Sequence, residues 1–185
     1  MDFVTIDFET ANYSRKNACS LGMVKYQNGI KIGTFYSLIK PPTHYFKPEF
    51  SAIHGLTLDD VKDAPAFSEL WDSKILPFFG NYPLAAHNAH FDINVLFAIL
   101  KYYELSNPAI KYFCSLQLAR HTWPSKKSYS LSNLAKEFGI QYHEHNALDD
   151  AETCGKIILM AADEYECTNI NDLIFSANIK MKEIE

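Results

Sequence analysis

The chain predicts an α/β sandwich built on a mixed sheet. Three observations lead there. Residues 2–9, "DFVTIDFE", read as a strand, and two further apolar, β-branched or aromatic stretches follow at 20–26 and 31–39. The "QNG" at 27–29 between those two stretches is a hairpin signal, which makes the opening an antiparallel meander rather than a doubly wound start. From residue 49 on, short strand-like runs mix with helical ones.

The elements follow in order. A loop at 11–18 joins the first strand to the hairpin, and "KPP" at 40–42 ends the meander. Residues 49–80 read as helical in two pieces, a short one at 58–62 capped by Thr57 and a longer one at 67–79. "PLAAH" at 83–87 is a short buried strand. A helix over 91–104 carries Ile93, Leu96, Phe97 and Leu100 at helical spacing. "YFCSLQLAR" at 112–120 begins as a strand and turns helical, "SLSNLAKEFG" at 130–139 has Ser130 as cap and Gly139 as stop, and a long helix spans 148–165. These assignments give one domain over 1–165 and a polar tail at 166–185 that packs or partly frays.

Bulk properties exclude several classes. A chain of 185 residues with 48% hydrophobic content can bury a sizeable core and is not a disordered sequence. It contains no apolar run long enough for a membrane helix, so no membrane partner is expected. Its start lacks the basic-then-apolar pattern of a signal peptide, and its four cysteines (Cys19, Cys114, Cys154, Cys167) form no CxxC pair, which fits free thiols in the cytoplasm. The net charge of −5 argues against sequence-independent wrapping of duplex nucleic acid, but not against gripping a few nucleotides.

The first strand poses a chemical question. Asp7 and Glu9 stand two residues apart on a strand, so they share one face while Val4, Ile6 and Phe8 face the other way. Two adjacent carboxylates repel, and burial raises the cost, so a positive partner is expected: a metal ion, a basic side chain or a proton. Other acids stand at element ends, where α/β proteins place sites: Asp92 after the turn "AAHNAH", and Asp150 at the start of the last helix. Four carboxylates could surround a pair of hard divalent cations, Mg²⁺ or Mn²⁺, which prefer oxygen ligands. Two such ions ~3.5–4 Å apart suit an in-line phosphoryl displacement. His145, five residues before Asp150 in "HNALDD", is the natural general base for an attacking water. Asp149 adjoins Asp150, but a helix turns it about 100° away.

Other motifs read more plainly. His87, His90 and Asp92 in "HNAHFD", with "HEH" at 143–145, invite a zinc site. A strand-to-turn placement scatters the two histidines, so His87 is expected to be a hydrogen-bonded structural residue and His90 a surface one. Lys126, Lys127 and Arg120 could guide a phosphate backbone or form a solvated face. "NDLIF" at 171–175 faintly resembles a clamp-binding peptide without its leading Gln, and packing of Leu173, Ile174 and Phe175 is the expectation.

Three segments together carry a family resemblance: "IDFET", "HNAHFDINVL" and "YSLSNLAKEFGI" with "HNALDDAETCGKI", in that order, with "FSAIHGLTLDDVKDAPAF" between the first two. The chain resembles the DEDDh 3′→5′ exonucleases, a family that includes the epsilon proofreading subunit of bacterial DNA polymerase III, over roughly residues 2–165. The resemblance implies a ribonuclease H-like fold, a five-stranded mixed sheet flanked by helices. It implies Asp7, Glu9, Asp92 and Asp150 as ligands of two divalent cations and His145 as the catalytic histidine. It also implies hydrolysis of the 3′-terminal phosphodiester, releasing nucleoside 5′-monophosphates. Thr10, through hydroxyl or backbone, and His54, Leu56, Asn88 and Phe91 are candidate contacts to the terminal nucleotide, where aromatic stacking tolerates any base. The expected partner is a single-stranded or frayed 3′ end of DNA, with RNA as a variant and a DNA polymerase subunit as an associate in proofreading or repair. Two other classes stand beside the exonuclease: a non-catalytic 3′-end or polymerase-binding module, which would need no general base, and a metal-dependent nucleotide hydrolase on the same fold.

Overall fold

A computed structural model describes residues 1–183. Three strands open it: β1 (Phe3–Thr10), β2 (Ala18–Gln27) and β3 (Ile30–Leu38). Asn28 and Gly29 both take positive φ (53° and 76°), the turn that matches strand twist in a two-residue hairpin. Helices α1 (Pro48–His54) and α2 (Leu58–Val61) follow, the latter opened by Thr57, whose N–H and hydroxyl both donate to the Asp60 carboxylate. The expected single helix over 67–79 is one helical stretch interrupted in the middle: α3 (Phe67–Leu70), a π turn (Trp71–Ile75) and α4 (Leu76–Phe79). Pro77 has no N–H for an ordinary helical bond, and the widened turn accommodates it.

The second half alternates. It runs β4 (Leu84–Ala86), α5 (His90–Tyr102), β5 (Lys111–Cys114), α6 (Ser115–Thr122), α7 (Leu131–Glu137), α8 (Ala147–Glu164), α9 (Ile170–Ser176) and β6 (Lys182–Glu183). Ser130 caps α7 by accepting from the Asn133 amide. The sheet order is β3-β2-β1-β4-β5-β6, with β1, β4 and β5 parallel and the other pairs antiparallel. The sheet thus has six strands, where five were expected. The addition is the two-residue β6 from the tail, formed by pairing with β5.

Each face of the sheet has its own core. Val4, Ile6 and Phe8 pack with Trp71, Phe79 and the α5 residues Ile93, Val95 and Leu96. Phe3, Val24, Ala85 and Phe113 pack with α8 and α9 on the opposite face. Burial of these apolar surfaces is the main term holding the three layers together. In α9, Ile170, Leu173 and Ile174 are buried, but Phe175 is 87% exposed, against the expected packing of all three apolar residues of "NDLIF". A helix shows only one face to the body, and Phe175 falls on the other.

Helix α8 lies against β2 at unusually close range. Gly22 makes this fit: a Cβ there would overlap the Ala147 carbonyl group and the Leu148 amide nitrogen, both backbone. Gly155 allows the same approach to the Tyr26 ring, four residues further along β2. Gly22→Ala is therefore expected to cost about 3 kcal/mol or more. That corresponds to a fall in melting temperature of roughly 6–12 °C, read by calorimetry.

Candidate active site

The site assembles at the C-terminal end of β1, beside the parallel strand β4. β1 supplies Asp7 and Glu9 on the α8 face, Asp7 opposite Gly22 in the ladder with β2. The register shifts between Glu9 and Thr10, ending regular pairing just past the acids. Asp92 comes from the first turn of α5, buried on the other side, where its Oδ1 accepts from the Phe8 amide at 3.0 Å. Asp150 comes from the first turn of α8, started by Asn146, whose side chain accepts from the Leu148 and Asp149 amides. Asp92 and Asp150 are 1% and 7% exposed; Asp7 and Glu9 are partly exposed.

His145 precedes that cap with φ at 63°, a left-handed conformation that turns the chain just before the helix. Ligand atoms of Glu9, His145 and Asp150 all lie within 4.8 Å of one another. Asp149 points elsewhere, accepting from the His143 amide at 3.1 Å and facing its Nδ1 at 3.0 Å, so Asp150 is the acid of "LDD" that enters the site.

The electrostatics are one-sided. Among the described residues, no Lys or Arg pairs with Asp7, Glu9, Asp92 or Asp150. Burial, reinforced by Asp92, Asp150 and Glu9, pushes the Asp7 carboxyl well above its usual range. Burial with Asp150 and Asp92 nearby lifts Glu9 to about 8. Burial lifts Asp92 to about 8, against the opposing Phe8 amide, and Asp150 to about 7, against the His145 amide. Unfolded carboxyls titrate near 4. Between about pH 4 and 8 the folded protein therefore holds protons that the unfolded chain has released, and its stability falls as pH rises through that window. In EDTA the melting temperature is expected to drop between pH 5 and pH 8, and added Mn²⁺ to restore most of the loss at pH 8. A melting temperature that stays flat in EDTA contradicts this charge balance.

The donor types fit hard divalent cations: carboxylates of Glu9 and Asp150 meet the His145 imidazole, and the charges of Asp7 and Asp92 act on the same acids, with no Lys or Arg paired to them among the described residues. It does not fit zinc at "HNAHFD". Both nitrogens of His87 are engaged, Nδ1 with Ser115 Oγ at 2.9 Å and Nε2 with the Tyr129 carbonyl at 2.8 Å, while His90 is exposed.

The softer candidates fall into two groups. Thr10, His54 and Leu56 form one hydrogen-bonded unit. The Leu56 amide donates to His54 Nδ1 at 3.1 Å, which leaves Nε2 to donate to the Thr10 carbonyl at 3.2 Å. The Thr10 side chain is buried. Asn88, with φ at 68°, and the exposed Phe91 form the turn ahead of Asp92, the Phe91 amide donating to the Asn88 carbonyl. Two residues escaped the sequence reading. Gly22 sets the seat of α8, and its only signal is a glycine inside an apolar strand. Tyr142 has a buried hydroxyl on which Asp150 exerts the largest effect of the neighbouring charges; no motif marks it.

A mixed sheet sandwiched by helices, with an acid cluster at the end of a central strand, is an α/β domain of ribonuclease H-like fold. Residues 4–158 match the RNase_T family, described as exonuclease, and the chain belongs to that family. The DNA polymerase III epsilon subunit of Aquifex aeolicus is 30% identical over 169 residues, covering 88% of this chain and 81% of that protein. A PolC-type DNA polymerase III of Caldanaerobacter subterraneus subsp. tengcongensis is 28% identical over 196 residues, 99% of this chain but 14% of that much longer protein. Among solved structures, Exonuclease X in complex with 5′ overhanging duplex DNA superposes with a TM-score of 0.77 at 22% identity, covering 95% of this chain and 99% of that one. The nuclease domain of 3′hExo, a DEDDh family member bound to rAMP, gives 0.73 at 16% identity, covering 100% and 96%. No helix of the described residues is long and apolar enough to cross a membrane.

Proposed function

We propose that this chain hydrolyses the 3′-terminal phosphodiester of a DNA strand and releases nucleoside 5′-monophosphates. The observation that carries the reading is the convergence of Glu9, His145 and Asp150 beside Asp7 and Asp92, with no Lys or Arg paired to the acids among the described residues. Asp7, Glu9, Asp92 and Asp150 would hold two divalent cations, Mg²⁺ or Mn²⁺. When bound, these supply Lewis acidity at the attacked phosphoryl group and lower the pKa of water.

The chain's own residues do the rest. The Phe8 amide and the α8 cap fix Asp92 and Asp150, so the acids meet substrate already oriented. His145 takes the proton of the attacking water. Its side chain is 47% exposed, so the proton passes on to solvent. The 3′ oxygen of the penultimate nucleotide departs. The Thr10–His54–Leu56 unit and Asn88 with Phe91 would hold the terminal nucleotide, Phe91 offering an exposed ring for any base.

RNA is a second substrate, favoured by the fold shared with a nuclease domain bound to rAMP. The likeness to polymerase III epsilon and PolC-type chains supports a proofreading or repair role beside a polymerase partner in the cytoplasm. The test uses 5′-labelled single-stranded DNA and RNA with Mg²⁺, Mn²⁺ or EDTA. A ladder shortening from the 3′ end, lost in EDTA, is expected. Intact strands under all conditions would leave the chain as a 3′-end binding module or a hydrolase of mononucleotides.

A further inference from the structure

We propose that Arg120, Lys127, Lys180 and Lys182 form a phosphate track that leads the strand to the carboxylate centre, and that the C-terminal segment serves to complete it. This rests on reading that centre as a 3′-end nuclease.

Two adjoining hollows carry the inference. One, of about 150 Å³, has Arg120, Lys180 and Lys182 in its walls. The other, wider and about 570 Å³, is walled by Arg120 and Lys127. They share Asn88, Leu116 and Arg120, so they form one continuous band. Asn88, Ala89 and His90 in the wall of the smaller hollow form the turn and helix start immediately ahead of Asp92, so the band adjoins the segment that carries this acid.

The band is positive and unneutralised. Among the described residues, no carboxylate lies within ion-pair reach of Arg120, Lys127, Lys180 or Lys182, in a chain of net charge −5. Lys126 does not belong to it, because it pairs with Glu137 and lies over the Phe138 ring. The floor is rigid. The Arg120 guanidinium sits 5.8 Å from the centre of the Tyr129 ring. The Tyr129 carbonyl accepts from His87 Nε2, and its hydroxyl donates to the Trp123 carbonyl at 2.8 Å. Arg120, held over this ring, suits a backbone phosphate, a contact that positions a strand without reading its sequence.

Two of the four cations come from the end of the chain. Burial of Ile170, Leu173 and Ile174 docks α9, and pairing of Lys182 with Tyr112 brings β6 to the sheet edge beside the smaller hollow. Without this docking, the band would end at Arg120.

The test is fluorescence anisotropy with 5′-labelled dT20 and rU20 in EDTA, from 50 to 200 mM KCl. It compares the unmodified protein with Lys180→Gln/Lys182→Gln and with Arg120→Gln. For the double variant, Kd at 50 mM is expected to rise about tenfold. The slope of log affinity against log salt should flatten by about 1.4, at about 0.7 per lost phosphate contact on a single strand. Both sugars should be affected alike. A Kd within twofold and an unchanged slope would overturn the track, as would a loss confined to one sugar or no binding by the unmodified protein. Hydrolysis is followed separately: binding that weakens as expected in a protein that cuts neither strand would sink the nuclease reading and leave the track standing.

Discussion

Asp7→Asn is expected to abolish divalent-ion-dependent cleavage and, in EDTA at pH 8, to raise the melting temperature. The two effects have one cause. Asp7 stands among Asp92, Asp150 and Glu9, and burial together with their charges disfavours its ionised form. An amide of the same size removes one charge from a cluster whose acids pair with no Lys or Arg among the described residues. The ion-free fold gains stability, each 1 kcal/mol of relieved repulsion being worth roughly 2–4 °C in a protein of this size. The same change removes a donor from the site, so the rise in melting temperature expected with Mn²⁺ for the unmodified protein should be lost in the variant. Calorimetry with and without Mn²⁺, beside a cleavage assay, reads both arms. A variant that keeps full activity would sink the four-carboxylate account.

His145→Ala should lower turnover by about 10²–10⁴-fold while the cation-induced rise in melting temperature persists. His145 is half-exposed and precedes the capping Asn146, so its removal leaves the α8 cap and the position of Asp150 intact. The left-handed backbone at His145 accepts alanine at a small cost, which a melting curve will show. Unchanged single-turnover rates would take His145 out of the mechanism. A loss of cation binding along with turnover would make it a ligand instead.

The grouping of the candidate acids was legible in the sequence because they sit at places that local rules mark. Period-2 alternation puts Asp7 beside Glu9. The helix starting after Asn146 points Asp150 inward and Asp149 outward, where it meets His143. The hairpin at Asn28–Gly29 and the caps at Thr57 and Ser130 were likewise local. What escaped depends on distant partners. β6 is two residues whose strand character comes wholly from pairing with β5. Helix α1 buries no residue, so it shows no apolar stripe. The π turn answers to Pro77 within a stretch whose apolar pattern still reads as one helix. Gly22 matters because the backbone of α8 comes within contact of it, which neither segment shows alone. The cations of the tail, likewise, meet Arg120 only after α9 has docked.

The most direct measurement of the central claim is a Mn²⁺ titration followed by electron paramagnetic resonance, on the unmodified protein and on Asp7→Asn. The account predicts saturable binding of two ions per chain in the first and loss of at least one in the second. An unmodified protein that leaves Mn²⁺ free in solution, or two proteins with identical binding curves, would contradict it.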